Sequence, residues 1–188
     1  MIFERILACL FTVTTMTYKS DKTLLGAGVL FSLGTILWLG SLLFFGVGVA
    51  MIIFKILPTK DLAGTLNAAI LHRLNMIELA GAASMGISFA LLWQRAAKRD
   101  ILLLVGILCP MLLCWCAYAL GITSEMNTLR ANINSFDTPS EAAKELITRF
   151  RGYHVWYSRL VSVNILLGFA LLVMQMRLLL KMAAKAHE

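Results

Sequence analysis

Glu78 is the residue whose position asks most of its surroundings. It stands in the apolar run 74–93. A carboxyl inside a bilayer is costly, and such a group is a functional candidate by default. His72 and Asn75 precede it. At about 100° per helical residue, Asn75 lies about 60° and Glu78 about 120° from His72. The three therefore share one broad helix face. His154 stands where the last apolar run begins, with Ser158 and Ser162 following at four-residue spacing. Tyr153, Tyr157, Asn164 and Gln175 fall on a neighbouring stripe. The candidate polar site is thus His72, Asn75, Glu78, His154, Ser158 and Asn164. Two chemistries fit these types. Glu78 with an imidazole is an acid–base pair. His72 and His154, at one membrane face, could ligate haem iron, copper or zinc. The plainer alternatives are that Glu78 pairs with Arg73 or Arg159, and that each His caps a helix or sits among headgroups.

Other chemistry finds less support. Cys109, Cys114 and Cys116 sit in one apolar run of a chain with ten methionines, a soft-ligand set that would suit copper. Cys and Met are equally ordinary fillers of apolar helices. Nucleophile elbows, zinc-protease pairs, Walker loops and Rossmann glycines are missing. The expectation is therefore a protein that is not an enzyme.

The elements that position these residues follow from composition. Of 188 residues, 60% are apolar and only 14% charged, where a soluble domain has roughly 45–50% and 25%. The chain reads as an integral membrane protein. Its net charge of +7 suits a basic rim against anionic headgroups. No basic stripe with interleaved aromatics points to nucleic acid. A span needs about 20 apolar residues. Four stretches qualify, at about 24–54, 74–93, 101–122 and 160–180. Residues 1–22 read as an interfacial helix or tail, and 23–188 as one four-helix transmembrane domain. Pro110 is expected to kink span three.

The long connection 123–159 is patterned as helix. Thr138-Pro139-Ser140-Glu141 reads as a capping box with proline at the first helical position. Ala143, Leu146, Ile147, Phe150 and Tyr157 then recur at helical spacing. A helix from about Pro139 to Lys181 and an extension of span three toward Asn134 would form an extramembrane hairpin turning at 135–139. Small residues four apart, at Gly28/Ser32, Gly46/Ala50, Ala82/Gly86 and Gly86/Ala90, suggest close helix packing.

Four spans put both termini on one side. That side carries Arg5, Lys19, Lys22, Arg95, Lys98, Arg99, Arg177, Lys181 and Lys185. The dense cluster Arg95, Lys98 and Arg99 in a short loop favours it as cytoplasmic, with the hairpin outside.

Two segments carry a family resemblance. Trp38-Leu39-Gly40-Ser41-Leu42-Leu43-Phe44-Phe45 is followed by Phe54-Lys55-Ile56-Leu57-Pro58 and Ala63-Gly64; later come Phe150-Arg151-Gly152-Tyr153-His154 and Asn164. This pattern resembles the transmembrane-protein-205-like family, domain of unknown function 4149. The resemblance implies a four-span helical membrane protein. Leu71-His72-Arg73-Leu74-Asn75 stands where that family opens span two with an aromatic residue.

The sequence thus describes an all-α polytopic bundle of four transmembrane helices with an extramembrane hairpin on spans three and four. The first functional expectation is handling of a small solute or metal at the polar cluster on the outer face. The second is a redox protein holding haem or metal, copper included, through His72 and His154. The third is a structural subunit of a membrane complex. Its partners would be the lipid bilayer and a second copy or another membrane protein.

Overall fold

The computed structural model describes residues 22–93 and 97–185. The segment expected as an interfacial helix, and with it Arg5, Cys9, Lys19 and Arg95, lies outside the described residues. Six α-helices follow one another: α1 Lys22–Leu43, α2 Ala50–Ile56, α3 Lys60–Leu92, α4 Lys98–Trp115, α5 Thr123–Ala131 and α6 Glu141–Lys185. The gap between α1 and α2 is a π-helical turn, Phe44–Val49, and a second one, Cys116–Ile122, joins α4 to α5. Four continuous helical rods result: Thr23–Ile56, Lys60–Leu92, Lys98–Ala131 and Glu141–Met182. Each is long and apolar enough to cross a membrane.

The rods are longer than a bilayer. A 33-residue helix such as α3 is about 50 Å long, against a hydrocarbon core of about 30 Å. The surplus of α3 is its polar first half, which meets Arg130 of α5 and the turn at 135–137. Exposed Leu, Ile, Val and Phe cover the rods elsewhere, including Leu25, Ile36, Phe44, Leu113 and Leu166. In water this would be an aggregation surface; in lipid it is the solvent-facing side.

Packing divides the bundle into two pairs. α1 lies along α3, and α4 lies along α6. α1 and α6 join the pairs, whereas α3 and α4 touch only sparsely. The seam between spans two and three is therefore the thinnest in the bundle.

The α1–α3 contact is a backbone contact. A β-carbon on Gly34 would lie 2.6 Å from the Gly81 carbonyl oxygen, and one on Gly81 would lie 2.8 Å from the Gly34 oxygen. The small-residue pairs expected from spacing are not this crossing. Gly46 and Gly86 have open space where a β-carbon would stand. The crossing uses a single glycine on each facing helix. Around it, Ser84 Oγ donates to the Leu30 carbonyl at 2.7 Å and Ser88 Oγ to the Ala27 carbonyl at 2.6 Å. Pro110 sits inside α4 without ending it.

The hairpin turn at 132–140 is fastened to the start of α3. Asp61 accepts from Ser135 Oγ at 2.6 Å and from the Phe136 amide at 2.8 Å. Asp137 returns the favour, accepting from the amides of Lys60 and Asp61. It thereby satisfies donors that a helix start leaves free. Thr59 Oγ1 takes a further one, from Leu62. Arg130 donates to the carbonyls of Gly64 and Asp61 and to Thr65 Oγ1. The capping box shifts in consequence. Thr138 donates its amide to Ser135, so Ser140 caps α6 through the Ala143 amide and Pro139 precedes the helix.

Gly34→Ala is expected to destabilise the detergent-solubilised protein by about 1–3 kcal/mol, because backbone must separate to admit the methyl group. Gly86→Ala should leave the melting temperature unchanged or raise it. Asp61→Ala should speed hydrogen exchange of the Phe136 amide by about tenfold or more, since a hydrogen bond to a charged group contributes about 1.5–3 kcal/mol.

Candidate functional site

The bundle interior holds one chain of polar contacts that takes a single residue from each rod. Trp38 Nε1 on α1 donates to Asn164 Oδ1 on α6 at 3.2 Å. Asn164 Nδ2 donates to Tyr118 Oη at 3.3 Å and to the Met111 carbonyl at 3.1 Å. Tyr118 Oη then donates to Glu78 Oε2 on α3 at 2.6 Å. Trp38, Tyr118 and Asn164 are fully buried, and Glu78 is 1% exposed.

Every donor in this chain points the same way, and the carboxyl of Glu78 is its last acceptor. Linked bonds of one direction polarise each other, and the dry surroundings strengthen each of them. Asn164 reads in only one amide orientation here, because the indole can only donate.

The local sequence explains each position. Trp38, Phe31, Thr35 and Leu42 recur at helical spacing on the buried face of α1. Tyr118 lies within the π-helical turn, where Thr123 Oγ1 donates to the Tyr118 carbonyl at 2.7 Å. A π turn adds a residue to the helical cycle and so re-aims the side chains it carries. Its ring packs edge-on against Tyr157, centroids 5.3 Å apart, which fixes the direction of the hydroxyl.

The Tyr118–Glu78 bond crosses the sparsely packed seam between α3 and α4. Trp115, one turn before Tyr118, is also buried. Its indole Nε1 lies near Glu78 but makes no hydrogen bond. Two neutral donors on the third rod therefore lie beside one carboxyl, Tyr118 at hydrogen-bond distance and Trp115 close by. Glu78 makes no ion pair with a described residue; its partner is a phenol, where Arg73 or Arg159 was the alternative.

The expected site residues separate into two groups. Glu78 and Asn164 meet through Tyr118. Asn75 is buried one turn before Glu78 and makes no hydrogen bond with a described residue. His72, His154 and Ser158 are exposed and stand outside the chain of contacts. Ser158 Oγ bonds back to the His154 carbonyl on its own helix. Cys109 and Cys116 are exposed on the third rod, and Cys114 is half-buried. Among the described residues, no three His, Cys, Asp or Glu converge as a metal site.

A second polar layer lies nearer the termini. Gln175 Nε2 donates to Ser32 Oγ at 2.6 Å, and Gln175 Oε1 lies 3.2 Å from Thr35 Oγ1. It ties α6 to α1. Trp38, Thr35 and Tyr118 were absent from the expected site. Tyr118 could have been suspected as a hydroxyl in the middle of an apolar run.

A family model described as a domain of unknown function (DUF4149) matches residues 33–132. The chain belongs to that family. The matched DUF4149 segment takes in Trp38, Glu78 and Tyr118 and ends before Asn164 and His154. No curated protein and no solved structure matches the chain. Membership in DUF4149 and the four apolar rods together make this a multi-pass integral membrane protein.

The network should behave as a unit. Tyr118→Phe and Glu78→Gln are each expected to lower stability by about 1 kcal/mol, within the range for hydrogen bonds between membrane helices. The double variant should lose clearly less than the sum, a coupling of about 0.5 kcal/mol or more in a thermal-unfolding cycle.

Proposed function

We propose that this DUF4149 protein handles a small solute across the membrane in a proton-linked manner, with Glu78 as the group that gains and loses the proton. One observation carries the reading. A carboxyl 1% exposed inside a transmembrane bundle is held by a neutral phenol, at the seam where the helices touch least. An ion pair would resist protonation, because it would strand a buried charge. A phenol partner leaves no such charge behind. The buried indole of Trp115 puts a second neutral donor beside the same carboxyl. A protonatable group at a weak seam is what a step of alternating access requires.

The reading keeps the solute class open between organic ions and metal ions. It treats the protein as a carrier rather than an enzyme, and as a relative of the transmembrane-protein-205-like group. It puts the termini in the cytoplasm, on the basis of Lys98 and Arg99 in the short connection between spans two and three. The hairpin and the start of α3 then form the outer cap.

Proteoliposomes with an entrapped pH-reporting dye test it. They are challenged in turn with small organic acids, organic cations and divalent metals. At least one challenge should drive proton movement in the wild type. Glu78→Gln should reduce that movement at least tenfold while keeping the helical fold. Tyr118→Phe should slow it less. A Glu78→Gln protein that works like the wild type would end the reading.

A further inference from the structure

A cleft opens at the terminal side of the bundle, far from Glu78. Its walls are the start of α4 and the last turns of α6. Arg99, Asp100, Arg177 and Lys181 line it together with Leu103, Met174 and Leu178. Its volume is about 320 Å³, at the lower end of the range for small-ligand sites. We propose that this cleft binds the phosphate-bearing headgroup of an anionic phospholipid.

The charges leave a specific vacancy. Lys181 Nζ pairs with Asp100 Oδ1 at 2.8 Å, so these two cancel. Arg99 and Arg177 are both exposed, and neither makes an ion pair or hydrogen bond with a described residue. Two guanidinium groups without a partner among the described residues line one cleft. Each offers a planar fork of donors that matches phosphate oxygens.

The remaining lining decides the source of the phosphate. Leu103, Met174 and Leu178 give the cleft an apolar side. Leu102, Leu103 and Leu180 are exposed around it and continue into the lipid-facing surface. A free phosphate has nothing to place against that side. A phospholipid puts its phosphate on the arginines and its glycerol and first methylenes on the leucines and methionine. Basic pockets at the headgroup level between transmembrane helices recognise lipids in this way. The Lys181–Asp100 bond joins α4 to α6 at the same place, so a bound headgroup would also hold the ends of these two helices together.

The test is a binding titration on the full chain in detergent, followed by native mass spectrometry. Phosphatidylglycerol and phosphatidylcholine with identical tails are compared at fixed ionic strength. The expected result is one phosphatidylglycerol bound at least tenfold more tightly than phosphatidylcholine. R99Q/R177Q should abolish that preference. R149Q/R151Q, which removes two exposed charges from the hairpin region, should keep it. Circular dichroism checks the fold of each variant; if the double variant does not fold, R177Q alone should weaken the preference by about fivefold, the value of one cation near an anionic surface. Equal affinity for the two lipids overturns the proposal. An equal loss in R149Q/R151Q also overturns it, in favour of general surface charge. Inorganic phosphate that competes as well as phosphatidylglycerol overturns it in favour of a small-anion site.

Discussion

The cost of leaving a polar group without a partner inside a bilayer organises this structure. Backbone groups avoid it by helix formation. Small hydroxyls can bond back to their own helix, as Ser158 and Ser162 do, but larger polar side chains reach partners on other helices. Trp38, Asn164, Tyr118 and Glu78 find theirs in one another, one from each rod. Lipid tails are as apolar as leucine, so apolar contact alone says little about which helix lies beside which. The polar chain does say so. Slide one rod by a turn and a donor or the carboxyl is stranded.

The same constraint explains how the two helix pairs are joined. Spans one and two approach until their backbones touch at Gly34 and Gly81, where Ser84 and Ser88 reach across to carbonyls. Spans three and four pack by side chains. Between spans two and three the backbones come close at few places. There the Tyr118–Glu78 bond carries much of the connection inside the bundle. Outside it, Asp61, Arg130, Ser135 and Asp137 tie the start of span two to the end of span three. The seam is thus pinned at two levels, the bundle interior and the hairpin turn.

Much of this architecture was legible in the sequence, for particular reasons. Four apolar runs and a polar but periodic connection announce four rods and a hairpin, since hydropathy reports directly on what lipid tolerates. Glu78 and Asn164 were visible because their types contradict their surroundings. Trp38 and Tyr118 were not, because an aromatic residue in an apolar run suits lipid as well as a partner, and its polar atom is easily overlooked. The π turns were hidden as well: a one-residue excess in a helix leaves no mark on composition. His72 and His154 drew attention by chemistry alone, and both lie on exposed positions. The Asp61–Asp137 exchange joins residues 76 apart, and no local pattern encodes it.

The direction of the polar chain has a consequence for how the seam can move. Asn164 and Tyr118 each have a network neighbour on both sides, whereas Trp38 and Glu78 are its two ends. Glu78 is held on one side only. It is also the member with an unused donor within reach, at Trp115, on the same helix as its present partner. A buried donor left without an acceptor costs about 1–3 kcal/mol. Transfer of the carboxyl from Tyr118 toward Trp115 would relieve that cost while leaving the phenol to find another acceptor. Tyr118 and Trp115, one turn apart on the third rod, thus both bear on the carboxyl where spans two and three meet.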